Sequence, residues 1–180
     1  MKITKLTKCK MKQEGCEGEY KKWSITQRTC KNPACAIELM NREKAKRARK
    51  EHAAAKVRAK TRQDWLKDCQ AVFNRYIRKR DEGQPCISCG RHHTGQYHAG
   101  HYLSVGAHPS ERFNEDNNHL QCAPCNNHLS GNIVNYRKGL IAKIGVERVE
   151  LLEGPHDAKK YTIPELQELI AVYKLKLRGL

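Results

Sequence analysis

The chain has 180 residues, 35 of them Lys or Arg against 19 Asp or Glu, for a formal net charge of +16. Hydrophobic residues make up 38% and mean hydropathy is −0.83, too apolar-poor for a large aliphatic core, so a staple such as a metal ion is expected. No stretch approaches the roughly 18–20 apolar residues that cross a bilayer, and MKITKLTKCKMK lacks the apolar segment of a signal peptide. These features predict a soluble, cytoplasmic protein with no membrane partner. The charge points to a polyanion, with nucleic acid first among the candidates.

Nine cysteines in a reducing compartment predict metal sites rather than disulfides. Residues 1–36 hold Cys9, Cys16, Cys30 and Cys35, in spacings looser than the common zinc knuckle, and read as an N-terminal four-cysteine zinc module with KKWSIT as a strand. Residues 37–83 read as two helices. The first, from Ile37 to about Arg62, is rich in Ala, Lys, Arg and Glu, free of Gly and Pro, and almost without an apolar face. Arg42, Lys46, Arg49, Lys50 and Arg58 would lie along a DNA backbone, or the helix is a solvated connector. Thr61 and Asp64 have capping-box spacing and start a second helix. Trp65, Leu66, Cys69, Val72, Phe73, Tyr76 and Ile77 form its core stripe, with Cys69 a small buried hydrophobe. DEGQP ends that helix.

Residues 84–136 carry the chemistry. Two C-x2-C knuckles, Cys86/Cys89 and Cys122/Cys125, are separated by 32 residues and close a tetrahedral structural zinc site. The loop between them is dense in His and Asn, which a structural zinc ribbon does not need. Phosphodiester hydrolysis does need such groups: a hard cation with oxygen ligands, and a base for the attacking water. Residues 137–180 form structural helices, with a stripe at Leu140, Ile141 and Ile144, a turn at Gly154-Pro155, and a last helix capped by Thr162 and Glu165. His92, His93 and His108 read as loop residues, His119 as a strand residue, and His52 and His156 have no informative context.

Gly100-His101-Tyr102, Asn117 and the C-x2-C-Asn run at Cys122–Asn126 resemble an HNH nuclease motif, and the last feature resembles the phage endonuclease VII group. The longer run CISCG, AGHY, RFNEDN, QC-x2-CN-x-H-x-SGN resembles the NinG (Rap) recombination proteins of lambdoid phages. That resemblance implies a phage- or prophage-encoded endonuclease that cuts branched DNA, such as Holliday junctions, with Mg2+ or Mn2+. A homodimer and other recombination proteins are the implied partners.

By the same resemblance His101 is the general base, Asn117 braces the hairpin that presents it, and Asn126 binds the catalytic metal at the start of a helix. His128 would be a second ligand or phosphate contact; apart from the resemblance, Arg112 reads as a phosphate clamp, since a guanidinium suits bidentate contact to phosphate. Gly100 departs from the pattern, since many HNH sites have a metal ligand there. His98 could replace it if a glycine bulge turned it toward the metal, and Asp116 or Glu115 could also reach in. The competing reading is a non-catalytic, zinc-dependent DNA-binding mediator with a degenerate nuclease fold. The expected fold is α+β: a small zinc-stapled ββα-metal core flanked by helices, an N-terminal zinc module and a long basic helix.

Overall fold

The computed structural model describes residues 6–180 as mixed α and β, in two compact units, Met1–Lys60 and Thr61–Leu180. In the first unit β1 (Thr7–Lys8) pairs antiparallel with β2 (Glu19–Tyr20). A single helix follows, α1 (Pro33–Arg58). KKWSIT is not a strand but a loop of bends and turns, and the strand pairing uses the residues flanking Cys9 and Gly18 instead. The basic helix begins four residues before Ile37, because Asn32 caps it by accepting from Ala34 N and Cys35 N and Pro33 suits the first turn. Cys35 therefore projects from the first turn of α1, and the cysteine module and the helix form one unit.

The second unit contains α2 (Arg62–Arg80), β3 (Tyr97–His101), β4 (Asn118–Cys122), α3 (Ile133–Ile144), α4 (Val146–Glu153) and α5 (Ile163–Lys176). Thr61 with Asp64, and Thr162 with Glu165, form capping boxes at α2 and α5. The α2 stripe buries Leu66, Cys69, Phe73, Tyr76 and Ile77 against Leu166, Ile170 and Tyr173 of α5, with Phe113 and Tyr161 closing the cluster. A second cluster joins Tyr102 and Tyr136 to Leu140, Val149 and Leu152. Gly145, with φ of 87°, separates α3 from α4, a break that the residue pattern did not reveal.

β3 and β4 form an antiparallel pair with continuous register from Tyr97↔Cys122 to His101↔Asn118. There is no bulge at Gly100. After β4 the chain makes one π-helical turn, Pro124–His128. Ser130, Gly131 and Asn132 then take positive φ values, so the helix expected to start at Asn126 is a single turn and the α-helix proper begins at Ile133.

Asp81, seen in the sequence only as part of a helix stop, ties these elements together. Its buried carboxylate accepts from Arg80 at the end of α2, from Lys143 Nζ on α3 at 2.9 Å, and from Leu120 N on β4 at 3.1 Å. Burial works to raise its pKa, but hydrogen bonds involving His119, Arg80 and Lys143, with the Arg80 charge, hold it well below the usual carboxylate range. Asp81→Asn removes the carboxylate shared by Arg80 and Lys143, leaves Arg80 only its longer 3.7 Å pairing with Glu115, and should cost about 3 kcal/mol, read from urea unfolding. The carboxylate's contribution is fully present above about pH 4, its ordinary value. It is lost as pH falls from there toward the depressed folded value.

Candidate active site and metal centres

The sulfurs of Cys9, Cys16, Cys30 and Cys35 all lie within 4.8 Å of one another, as do those of Cys86, Cys89, Cys122 and Cys125. A tetrahedral zinc with Zn–S bonds of about 2.3 Å sets its sulfurs about 3.8 Å apart. Cys16 and Cys30 Sγ are 3.7 Å apart, and Cys89 and Cys122 Sγ are 4.0 Å apart. These separations suit a shared ion and are far longer than a disulfide bond. Four sulfurs leave no open coordination position, so each tetrad can hold zinc in a structural role. Cys69, in the α2 core, belongs to neither. His93 lies in the loop after the first knuckle, as expected, and its Nε2 is 3.2 Å from Cys89 Sγ, where it can support a thiolate from outside the ligand set.

The residues of the proposed chemistry meet beside this second tetrad. A cleft of about 530 Å3 is lined by His98, His101 and Asn126, with Gln70, Asn74 and Arg78 opposite them on α2. Gln96, Tyr97, His98 and Ala99 all line it, so the cleft runs along the outer edge of β3. The sheet has two strands, and that edge carries no third. Side chains from both faces of β3 can therefore reach around it, which is how His98 and His101, three residues apart, share a cleft without a bulge. Asn126 Nδ2 lies 3.2 Å from His98 Nδ1.

His101 is held from behind. Its Nε2 is 3.1 Å from the carbonyl oxygen of Arg112. A carbonyl only accepts, so Nε2 carries the proton and, in the neutral ring, Nδ1 keeps a lone pair. Burial pushes the imidazole below its ordinary pKa. The Arg112 carbonyl opposes that shift and the Arg112 charge reinforces it. Neutral His101 is thus a base with a defined tautomer.

The Arg112 carbonyl also accepts from Asn118 Nδ2 at 3.4 Å, and Asn117 braces the loop that carries it. This side chain is fully buried and bonds the loop between the strands at three points: Leu103 N at 2.7 Å, Leu103 O at 3.1 Å and Glu111 O at 3.0 Å. Asn117 lines no described cleft, and its side-chain hydrogen bonds all go to the loop between the strands. Tyr161 and Tyr173 hydroxyls donate to Ser110 O and Phe113 O from the α5 side, pinning the same loop. The Arg112 guanidinium, expected to clamp phosphate, donates to Gln70 Oε1 at 3.1 Å and so braces the α2 wall.

Other expected residues lie elsewhere. His128 is exposed at the end of the π-helical turn and lines neither this cleft nor its neighbour on the far side of His101. Asp116 pairs with Arg148, and Glu115 with Tyr76 and Lys176, so both carboxylates are engaged away from the cleft. His108 lines the neighbouring cleft with His101 and Asn126. Arg42, Lys46, Arg49, Lys50 and Arg58 are exposed along α1, with Arg42 bonded to Glu38. Gln70, Asn74 and Arg78 were missed in the sequence, although their spacing of four places them on one face of α2 beside the apolar stripe.

Gly100 has a packing reason. A Cβ there would lie 2.1 Å from Gln121 Oε1 and 3.0 Å from Gln121 Cβ. Gln121 is fully buried and donates from Nε2 to Ser88 Oγ and Gly131 O, so it has little freedom to move. No side-chain ligand fits at this position. Gly100→Ala should cost about 2 kcal/mol through overpacking, seen as a lowered urea midpoint.

Over residues 2–180 the chain matches the family described as "Bacteriophage Lambda NinG protein". It belongs to the NinG family. Protein ninG of Escherichia phage lambda is 46% identical over 125 residues, covering 69% of this chain and 61% of that protein. The proteins ninG of Escherichia phage 933W and Salmonella phage P22 are 44% and 43% identical over the same length, 62% of each relative. The chain thus spans about three fifths of the length of these NinG relatives. No solved structure matches it. Among the described residues no helix is long and apolar enough to cross a membrane. The relatives' names state no activity, so the chemistry rests on the site.

Proposed function

We propose that this NinG-family chain is a metal-dependent endonuclease that hydrolyses phosphodiester bonds in branched DNA during phage recombination in the host cytoplasm. The observation that carries this reading is one cleft in which His98, His101 and Asn126 converge, with the His101 tautomer fixed by the Arg112 carbonyl. A structural zinc protein has no use for such a base.

A scissile phosphate enters along the edge of β3, facing the amides of Gln70 and Asn74 and the Arg78 guanidinium. His101 Nδ1 takes a proton from water, and the water oxygen attacks phosphorus in line with the departing sugar oxygen. A divalent cation, Mg2+ or Mn2+, held by Asn126 and His98 would neutralise charge developing on the phosphate and leaving oxygen. One feature supports that assignment: the 3.2 Å contact between Asn126 Nδ2 and His98 Nδ1, which brings the two side chains together in the cleft. An amide oxygen suits either ion, whereas an imidazole suits a transition metal better than Mg2+. His101, bonded to a carbonyl, is left to proton transfer. The +16 charge, the basic face of α1 and the first cysteine module supply sequence-independent hold on the backbone. A homodimer would present two clefts to a four-way junction.

The second reading, a zinc-dependent binding mediator, is favoured by Gly100, where Gln121 excludes a ligand. The two separate on a labelled four-way junction and a matched duplex, incubated with EDTA, Mg2+ or Mn2+. Metal-dependent cutting of the junction supports the nuclease, with Mn2+ the better ion. Tight binding with no cutting under any metal supports the mediator.

A further inference from the structure

The loop that replaces the expected KKWSIT strand displays the two most exposed large apolar side chains among the described residues of the first unit, Trp23 at 79% and Ile25 at 97%. The loop has a built shape. Trp23 N donates to Gln27 Oε1 at 3.0 Å, Gln27 Nε2 donates to Thr29 O at 3.0 Å, and the Ser24 and Thr26 hydroxyls bond each other at 2.8 Å. Its surroundings are cationic. Lys21 and Lys22 precede Trp23 and are exposed. Thr26 and Arg28 line a cleft of about 550 Å3 with Lys46, Arg47 and Lys50 of α1. Glu43, the one acid lining it, is paired with Arg28 at 2.6 Å.

A concave basic groove suits a chain of phosphates, and a neighbouring exposed indole suits the flat face of a base. Together these are the components of unpaired-strand recognition. Duplex DNA keeps its bases stacked inside, whereas a branch point exposes them. We propose that the 21–28 loop and the adjoining basic cleft form a binding site for unpaired DNA, with Trp23 stacked on a base and the cleft holding the flanking phosphates. The proposal rests on the DNA-directed reading above and deepens it, because it supplies a means of preferring branched over linear substrate.

The test uses the full, zinc-loaded chain, with binding followed by anisotropy of labelled DNA and stacking by tryptophan emission. The second tryptophan, Trp65, is half-buried on α2, and comparison with Trp23→Phe isolates the signal of Trp23. Oligothymidylate and a four-way junction should quench wild-type emission, and the quench should be absent in Trp23→Phe. Trp23→Ala should weaken both complexes about tenfold and leave linear duplex binding unchanged, while Trp23→Phe recovers most of the affinity. Bound DNA with no quench and no effect of Trp23→Ala overturns the stacking site and leaves the nuclease reading standing. Absence of binding to any DNA overturns both. A shift of Trp23 emission on anionic phosphatidylserine vesicles, without quenching by DNA, overturns the proposal in favour of a membrane surface.

Discussion

Replacing His101 with alanine should lower metal-dependent cleavage of a four-way junction by about a thousandfold, the range expected for a general base, while junction affinity stays within a few-fold. The two readouts diverge because Nδ1 acts only when water attacks, whereas the phosphates are held by the cationic surface and the α2 wall. The pH profile adds a discriminating measurement. Burial lowers the His101 pKa from its ordinary value of 6.5, and catalysis needs the neutral ring. The kcat/KM of the wild type should therefore rise with pH to a plateau, with a midpoint below 6.5, and His101→Ala should lose that limb. Normal cutting by the variant would place the base elsewhere.

Stability follows the same ring with its own sign. Between the depressed folded pKa and the unfolded value, the unfolded chain binds a proton that the native chain does not. Stability therefore falls as pH drops below about 6.5, until the folded ring also titrates. His119, buried on β4 with Arg80 at its Nδ1 and the Asp116 carbonyl at its Nε2, is also lowered by burial and adds to the effect.

Cys122→Ser should unfold the Thr61–Leu180 unit and take the His101 cleft with it. Cys122 is fully buried at the end of β4, opposite Tyr97 across the hairpin, and its backbone N–H faces Cys86 Sγ at 3.4 Å. Its tetrad joins the Cys86–Cys89 loop, the end of β4 and the π-helical turn in one closure. Structural zinc in small modules contributes about 10–16 kcal/mol, as much as the whole stability of an ordinary domain. Metal analysis should give two zinc per wild-type chain and one in Cys122→Ser, with lost near-ultraviolet dichroism and rapid proteolysis after residue 61. Cys69→Ala provides the control. It deletes a buried thiol of the α2–α5 core but removes no ligand, so its zinc content should remain two. A well-folded, active Cys122→Ser would refute the structural role.

The family resemblance and the local patterns are legible in the sequence itself. The C-x2-C knuckle spacing, the α2 stripe and the capping boxes at Thr61 and Thr162 all depend on residues within a few positions of one another. Local sequence carries such information directly, because capping, helical periodicity and knuckle spacing are short-range physics. The same short range explains the failure at KKWSIT. β-Propensity there is overruled by strand pairing that depends on partners elsewhere, and β1 and β2 form at other residues.

What only the tertiary structure decided depends on groups distant in the chain. The Asp81 carboxylate meets Lys143 and Leu120, Arg112 lends its carbonyl to His101, and Gln121 forbids a side chain at Gly100. Asp116 and Glu115 find cationic partners on α4 and α5, whereas His98 lines the cleft at the open edge of β3. Sequence determined which kinds of group this protein carries and at what local spacing. Packing determined which of them share a cleft, because an open strand edge and a buried glutamine are properties of neighbours that the chain acquires only on folding.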